Sequence, residues 1–202
     1  MSSLYHTISG RTEAVYREKM SKFIAIAAPV KSVMEARSFI DSVRNKYCDA
    51  RHVCWAYMLG ADRAVSQIND NGEPSGTAGK PILGQINSFG LTNIVVCVVR
   101  YFGGIKLGTS GLIAAYREAT RMALADAEKV ERAEEVALEV SYNYVVMNDV
   151  MKLIKSLRLE ILQQKFDNNC VVSLAVRKDM ARDIAARFEA VPSVNIQIGE
   201  AL

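Results

Sequence analysis

Nine of the chain's twelve glycines lie between Gly72 and Gly111, and they bracket an almost unbroken β-branched run, Asn93–Val99. Such a run reads as a strand covered on both faces, which commits the chain to a sheet with a packing layer on either side. Glycine weakens regular elements because it loses the most conformational freedom on folding. It also tolerates φ > 0 and lets another backbone or a ligand approach closely. Glycine clusters at both ends of a buried strand therefore predict two functional loops, NDNGEPSGTAGKP (Asn69–Pro81) and RYFGGIKLGTSG (Arg100–Gly111).

The remainder of the first two thirds reads as scaffold. Tyr5–Ile8, Thr12–Arg17 and Phe23–Ala28 are strand-like, and Ser32 with Glu35 forms a capping box for a helix over Val33–Tyr47. Ala36, Phe39, Ile40, Val43 and Tyr47 share its buried face. Arg51–Leu59 alternates as a strand, and Ala64–Ile68 follows a turn at Gly60-Ala61-Asp62. Thr77 is placed to cap a helix with Pro81 early and Gly90 at its end, its stripe being Ile82, Leu83, Ile86 and Phe89. A longer helix runs from about Ser110 to Ala127.

Lys129–Glu135 reads as a charged connector, after which the pattern restarts. Strand Val136–Tyr142, helix Asp149–Leu157 and strand Leu159–Phe166 lead to a turn at Asp167-Asn168-Asn169. Strand Val171–Val176, helix Asp179–Glu189 and strand Val194–Ile198 complete a β-α-β-β-α-β order, the split βαβ of ferredoxin-like domains. The sequence thus predicts an α+β protein of two domains, residues 1–133 and 134–202, and 202 residues suffice for two small cores.

No apolar run approaches the ~20 residues of a membrane span, and MSSLYHTISG lacks the basic-then-apolar pattern of a secretory signal. Cys48, Cys54, Cys97 and Cys170 include no CxxC pair and read as reduced thiols. These features point to the cytoplasm and away from a membrane partner. Residues 1–135 carry 17 Lys+Arg against 14 Asp+Glu, and residues 136–202 carry 8 of each. That mild basicity, without any run, permits nucleic acid and does not demand it.

In the first loop, Asp70 and Glu73 could serve as acid and base if their surroundings split their pKa values. The loop is not a Walker A motif, but N–H groups near Thr77 and Gly79, with Lys80, offer a phosphate site at a helix start. Its bland alternative is a turn in which Asp70 bonds its own backbone. With no nucleophile or metal set beside the carboxylates, a binding surface is favoured over catalysis. In the second loop, Arg100 and Lys106 supply charge, and Gly103-Gly104 permit close approach, although GGxxxG is not the dinucleotide fingerprint. Thr109 or Ser110 caps the next helix while spare N–H groups face outward. Tyr101 or Phe102 either stacks on a base or packs in the core. His52 and Cys54 share a strand face, but two ligands make no zinc site, so neither metal nor cofactor is expected.

The ordered set His52-x-Cys54-x-Ala56, Asp70-x-Gly72-Glu73-Pro74-x-Gly76-Thr77-Ala78-Gly79-x-Pro81 and Arg100-Tyr101-Phe102-Gly103-Gly104-x-x-Leu107-Gly108 resembles the IMPACT/YigZ family over nearly the whole chain. Thr109-Ser110 departs from the smaller residues that relatives often carry there. The resemblance implies an N-terminal domain similar to the second domain of a small-subunit ribosomal protein. It also implies a ferredoxin-like C-terminal domain related to one of elongation factor G. Eukaryotic relatives regulate translation by binding an activator of a stress kinase, but they lack the C-terminal domain, so that partner is not carried over. The expectation is a non-enzymatic regulator of translation that contacts RNA, the ribosome or a protein partner of the translation apparatus through the Gly72–Gly111 surface. Two alternatives stay open. One is a hydrolase or transferase acting on a small phosphorylated or peptidic substrate through His52, Asp70 and Glu73. The other is a protein-binding module.

Overall fold

The structure, a computed structural model, describes residues 4–166 and 169–201. Tyr5–Arg132 forms one compact unit, and Ala133–Leu202 belongs to the other.

The first unit is built on strands β1 (Leu4–Ile8), β2 (Thr12–Glu18), β3 (Ser21–Pro29), β4 (His52–Leu59), β5 (Val65–Asn69) and β6 (Ile94–Tyr101). Helices α1 (Val33–Lys46), α2 (Gly79–Ser88) and α3 (Gly108–Asp126) cover them. Five strands form an antiparallel sheet in the order β2-β3-β6-β4-β5, so the β-branched run is its central strand. Period-two alternation then sends Ile94, Val96 and Val98 into one core with Ile82, Ile86, Leu112 and Tyr116. Val95, Cys97 and Val99 enter a second core with Ala36, Ile40 and Val43 of α1. The result is three layers, α1 on one face and α2 with α3 on the other. Each fully buried valine of β6 contributes about 1.5–3 kcal/mol of transfer free energy. At the start of α1, Ser32 Oγ accepts from Glu35 N at 3.1 Å and Glu35 Oε2 accepts from Lys31 N at 2.8 Å, so the capping pair read from the sequence is present.

The stretch Lys129–Glu135 is not a connector. Lys129–Ala133 forms β7, which pairs with β1 as a two-stranded ribbon. Its charged side chains face outward and only Val130 and Ala133 are half-buried, so the ribbon has too short an apolar pattern to show through its charges.

In the second unit, β8 (Glu135–Tyr142), α4 (Met147–Ser156), β9 (Glu160–Phe166), β10 (Cys170–Arg177), α5 (Ala181–Glu189) and β11 (Val194–Ala201) keep the β-α-β-β-α-β order. Their sheet runs β11-β8-β10-β9, with all pairs antiparallel. Leu138, Val140, Val172 and Leu174 meet Val150, Ile154, Ile184 and Phe188 in a core of its own. In the turn read at Asp167-Asn168-Asn169, the first two residues lie outside the described residues.

Candidate functional site

Both glycine loops reach one cavity of about 380 Å³ at the end of β6. Glu73 and Pro74 of the first loop line it, with Phe102, Lys106, Gly108 and Thr109 of the second. Arg51 and His52 at the start of β4, together with Arg100, complete the polar part.

Arg100 is the centre of the site. Its side chain is only 7% exposed, and Nη1 donates to Glu73 Oε1 at 2.6 Å, the carboxylate being 3% exposed. Tyr116 Oη donates to the same oxygen at 2.9 Å. Burial, reinforced by Cys54 and Glu73, pushes the Tyr116 hydroxyl far above its ordinary pKa, so it stays a donor. The guanidinium carbon lies over the Phe23 ring at 5.5 Å and over the Phe102 ring at 5.6 Å, contacts favoured by the quadrupoles of both rings. Of five guanidinium donors, Nε is buried and meets no acceptor among the described residues. A buried cation balanced by one carboxylate is thus left with an unsatisfied N–H, the kind of donor that recognises oxyanions such as carboxylate and phosphate.

The two loops differ in what they offer. In the first, Asp70 accepts from Gly76 N at 2.8 Å, Ala78 N at 3.0 Å and Gly79 N at 2.8 Å. Burial alone would raise its pKa, but these amides and the charge of Lys80 outweigh it and hold the carboxyl below its usual range. Asp70 therefore caps α2 from a distance in sequence. Thr77 does not cap; it is buried and its Oγ1 donates to Pro74 O at 2.6 Å. The amides that the sequence offers to an anion near Thr77 and Gly79 are thus already taken. Lys80 lies outside this cavity and lines another.

In the second loop α3 starts at Gly108, earlier than read, and its N-cap Leu107 makes no side-chain bond. Thr109 and Ser110 are exposed in the first turn instead of capping it. The N–H groups that open a helix lack intrahelical partners and carry the positive end of its dipole, and here Gly108 and Thr109, the first two residues of α3, line the cavity. Gly108 has φ 72, the left-handed region that glycine adopts at no steric cost.

Other candidate residues serve different ends. Tyr101 points to the α1 face of the sheet, and its Oη donates to Asp49 Oδ1 at 2.7 Å, which raises its pKa to about 12. Gly103 is a packing glycine, since a Cβ there would stand 2.0 Å from the Met20 carbonyl carbon, and its N–H donates to Ser21 Oγ. Gly104 takes φ 87 in the loop without lining the cavity. The His52 Nδ1 lies 2.9 Å from the Asn71 carbonyl, which only accepts, so the proton sits on Nδ1 and Nε2 is left as the acceptor of the neutral ring. Cys54 Sγ donates to Asp70 O at 2.9 Å and lies 3.3 Å from Tyr116 Oη. Burial pushes its thiol up to about 12. No group of three or more His, Cys, Asp or Glu among the described residues is placed to hold a metal. Arg51, Pro74 and Tyr116 are the site residues that sequence reading missed. Tyr116 carries only the signal of a helix stripe, and Arg51 only that of a charge preceding His52.

A three-layer unit with a basic, glycine-rimmed cavity, in one chain with a four-stranded β-α-β-β-α-β unit, defines a two-unit α+β protein. Residues 19–124 match the model of the Impact N-terminal domain. An IMPACT family member of Haemophilus influenzae is 34% identical over 170 residues, 82% of each chain. The IMPACT family member YigZ of Escherichia coli is 46% identical over 108 residues, 52% of this chain and 53% of that one. A crystal structure of a hypothetical protein superposes with a TM-score of 0.78 at 29% identity, covering 98% of this chain and 97% of the other. The chain belongs to the IMPACT family, as the loop motifs indicated.

Proposed function

We infer that this protein regulates translation in the cytoplasm by gripping RNA, free or within the ribosome, at the Arg100 cavity. The observation that carries this reading is the meeting of a helix N-terminus that has no side-chain cap with a buried guanidinium whose Nε has no partner among the described residues. Together they make a preformed phosphate cradle, and Arg51 and Lys106 add two exposed charges at its rim. The half-exposed Phe102 ring supplies a stacking surface beside it. The strand order β11-β8-β10-β9 supports a ferredoxin-like second domain, and the family likeness supports an N-terminal domain similar to that of a small-subunit ribosomal protein. Fold alone fixes no function, so the weight rests on the cavity.

Binding accords with the geometry better than turnover. Asp70 is committed to three amides and Glu73 to Arg100 and Tyr116, so neither carboxylate stands free beside His52 to move a proton. Co-sedimentation with ribosomes at about 50 and 200 mM salt tests the proposal, because phosphate contacts release counterions and weaken steeply with salt. Binding should fall between the two, and an Arg51→Ala/Lys106→Ala variant, whose exposed side chains leave the fold untouched, should bind more weakly at the lower salt and lose less on going to the higher. Binding indifferent to salt and to both substitutions would oppose it.

A further inference from the structure

We propose that the phosphate track continues beyond the Arg100 cavity, so that the protein takes an extended single strand of RNA along α3. This rests on the phosphate reading above and adds a second subsite to it. A second cavity, also of about 380 Å³, lies between α2 and α3 and is lined by Gly76, Lys80, Gln85, Ser88, Ile113 and Arg117. It contains two cations and no carboxylate. Lys80 and Arg117 are both exposed, and neither forms an ion pair among the described residues, whereas the neighbouring Arg121 is paired with Glu118.

Helix α3 joins the two cavities. Thr109 lines the first, Ile113 and Arg117 line the second, and their four-residue spacing places all three on one helix face. From Thr109 to Arg117 the rise is about 12 Å at 1.5 Å per residue. One nucleotide does not span that interval; a short run of nucleotides presents a phosphate at each end of it. The stem of Lys80 lies against Gly76, which keeps the lysine over the loop that joins the cavities. Recessed cavities suit a strand free to bend more than the fixed ridge of a duplex. The half-exposed Phe102 at the first cavity suits alternating base and phosphate better than an acidic peptide, which has no ring to stack.

Fluorescence anisotropy with the full chain provides the test, using uridine monophosphate, oligouridylates of two, four and eight nucleotides, and an acidic octapeptide as probes. Affinity should rise with length until both cavities are spanned and then level off. In a Lys80→Ala/Arg117→Ala variant the salt slope for the octamer should drop by about 1.4, the contribution of two phosphate contacts on a single strand. Binding of the monophosphate should stay within twofold. An octamer affinity and slope unmoved by the two substitutions would overturn the second subsite and leave the phosphate reading standing. A peptide that binds as tightly as the octamer would overturn RNA as the occupant. Failure of monophosphate and octamer alike would overturn the phosphate reading itself.

Discussion

Glu73→Gln isolates the term on which the site depends. The substitution keeps the shape of the side chain but removes the charge that balances Arg100, whose side chain is 7% exposed. Breaking a buried ion pair from one side costs about 3–5 kcal/mol, because the remaining charge is left uncompensated. Gln retains an acceptor for Arg100 Nη1 and Tyr116 Oη, which recovers about 0.5–1.5 kcal/mol as a neutral hydrogen bond. A net loss of about 1.5–4.5 kcal/mol follows from those two magnitudes. Trp55, the single tryptophan, lies in β4 stacked on Tyr57 at 5.7 Å, so its fluorescence reports unfolding of this unit alone. With a urea m-value of about 2 kcal/mol/M, the midpoint should fall by about 1–2 M. The double substitution Glu73→Leu/Arg100→Met replaces the pair by apolar groups and should restore most of the lost stability. A Glu73→Gln midpoint within about 0.3 M of wild type, or a double variant no more stable than the single one, would refute the reasoning.

Asp70→Ala should cost about 0.5–2 kcal/mol at neutral pH, the usual loss for a helix cap. Because the folded carboxyl titrates below its unfolded value of about 3.9, that difference should persist down to pH about 4 and close only as acid protonates the folded group. A gap that closed well above pH 4 would contradict the cap. Ellman's reagent should label one thiol, the exposed Cys48, in the native protein and four after denaturation, since Cys54, Cys97 and Cys170 are buried and burial raises the pKa of the first two. Rapid native labelling of a second thiol would contradict this packing. Gly103→Ala should destabilise by about 1–3 kcal/mol through overpacking against Met20, read by the same fluorescence transition. Tyr101→Phe should leave RNA affinity unchanged, because its side chain lies on the α1 face of the sheet; a loss in a binding titration would place it in the site after all.

Local chemistry made much of the fold legible. The run ending at Val99 announced a strand buried on both faces, and Ser32 with Glu35 announced the start of α1, because both patterns are complete within a few residues. Ribbon β7 was hidden because its charges outnumber its apolar positions. In the loops, glycine spacing marked the two stretches that reach the cavity, but which amides stay free depends on long-range partners. Asp70 reaches Gly79 across nine positions and removes the first loop's donors, an arrangement that no local turn rule contains. Conversely, α3 has no side-chain cap because Leu107 has no side-chain oxygen to offer its first N–H groups. Alternation along β6 separates Arg100 from Tyr101 onto opposite faces, which sequence alone could not orient relative to the cavity.

Mapping by NMR of uridine monophosphate titrated into isotope-labelled protein tests the Arg100 site most directly, because it needs no substitution and the nucleotide is too short to reach the second cavity. Amide shifts should concentrate at Gly108, Thr109 and Ser110, with a matching shift of the Arg100 Nε–H, and should leave Ala78 and Gly79 unmoved, since Asp70 holds their N–H groups. Shifts confined to other surfaces, or a saturating titration in which the α3 N-terminus and Arg100 do not respond, would contradict the assignment of this cavity.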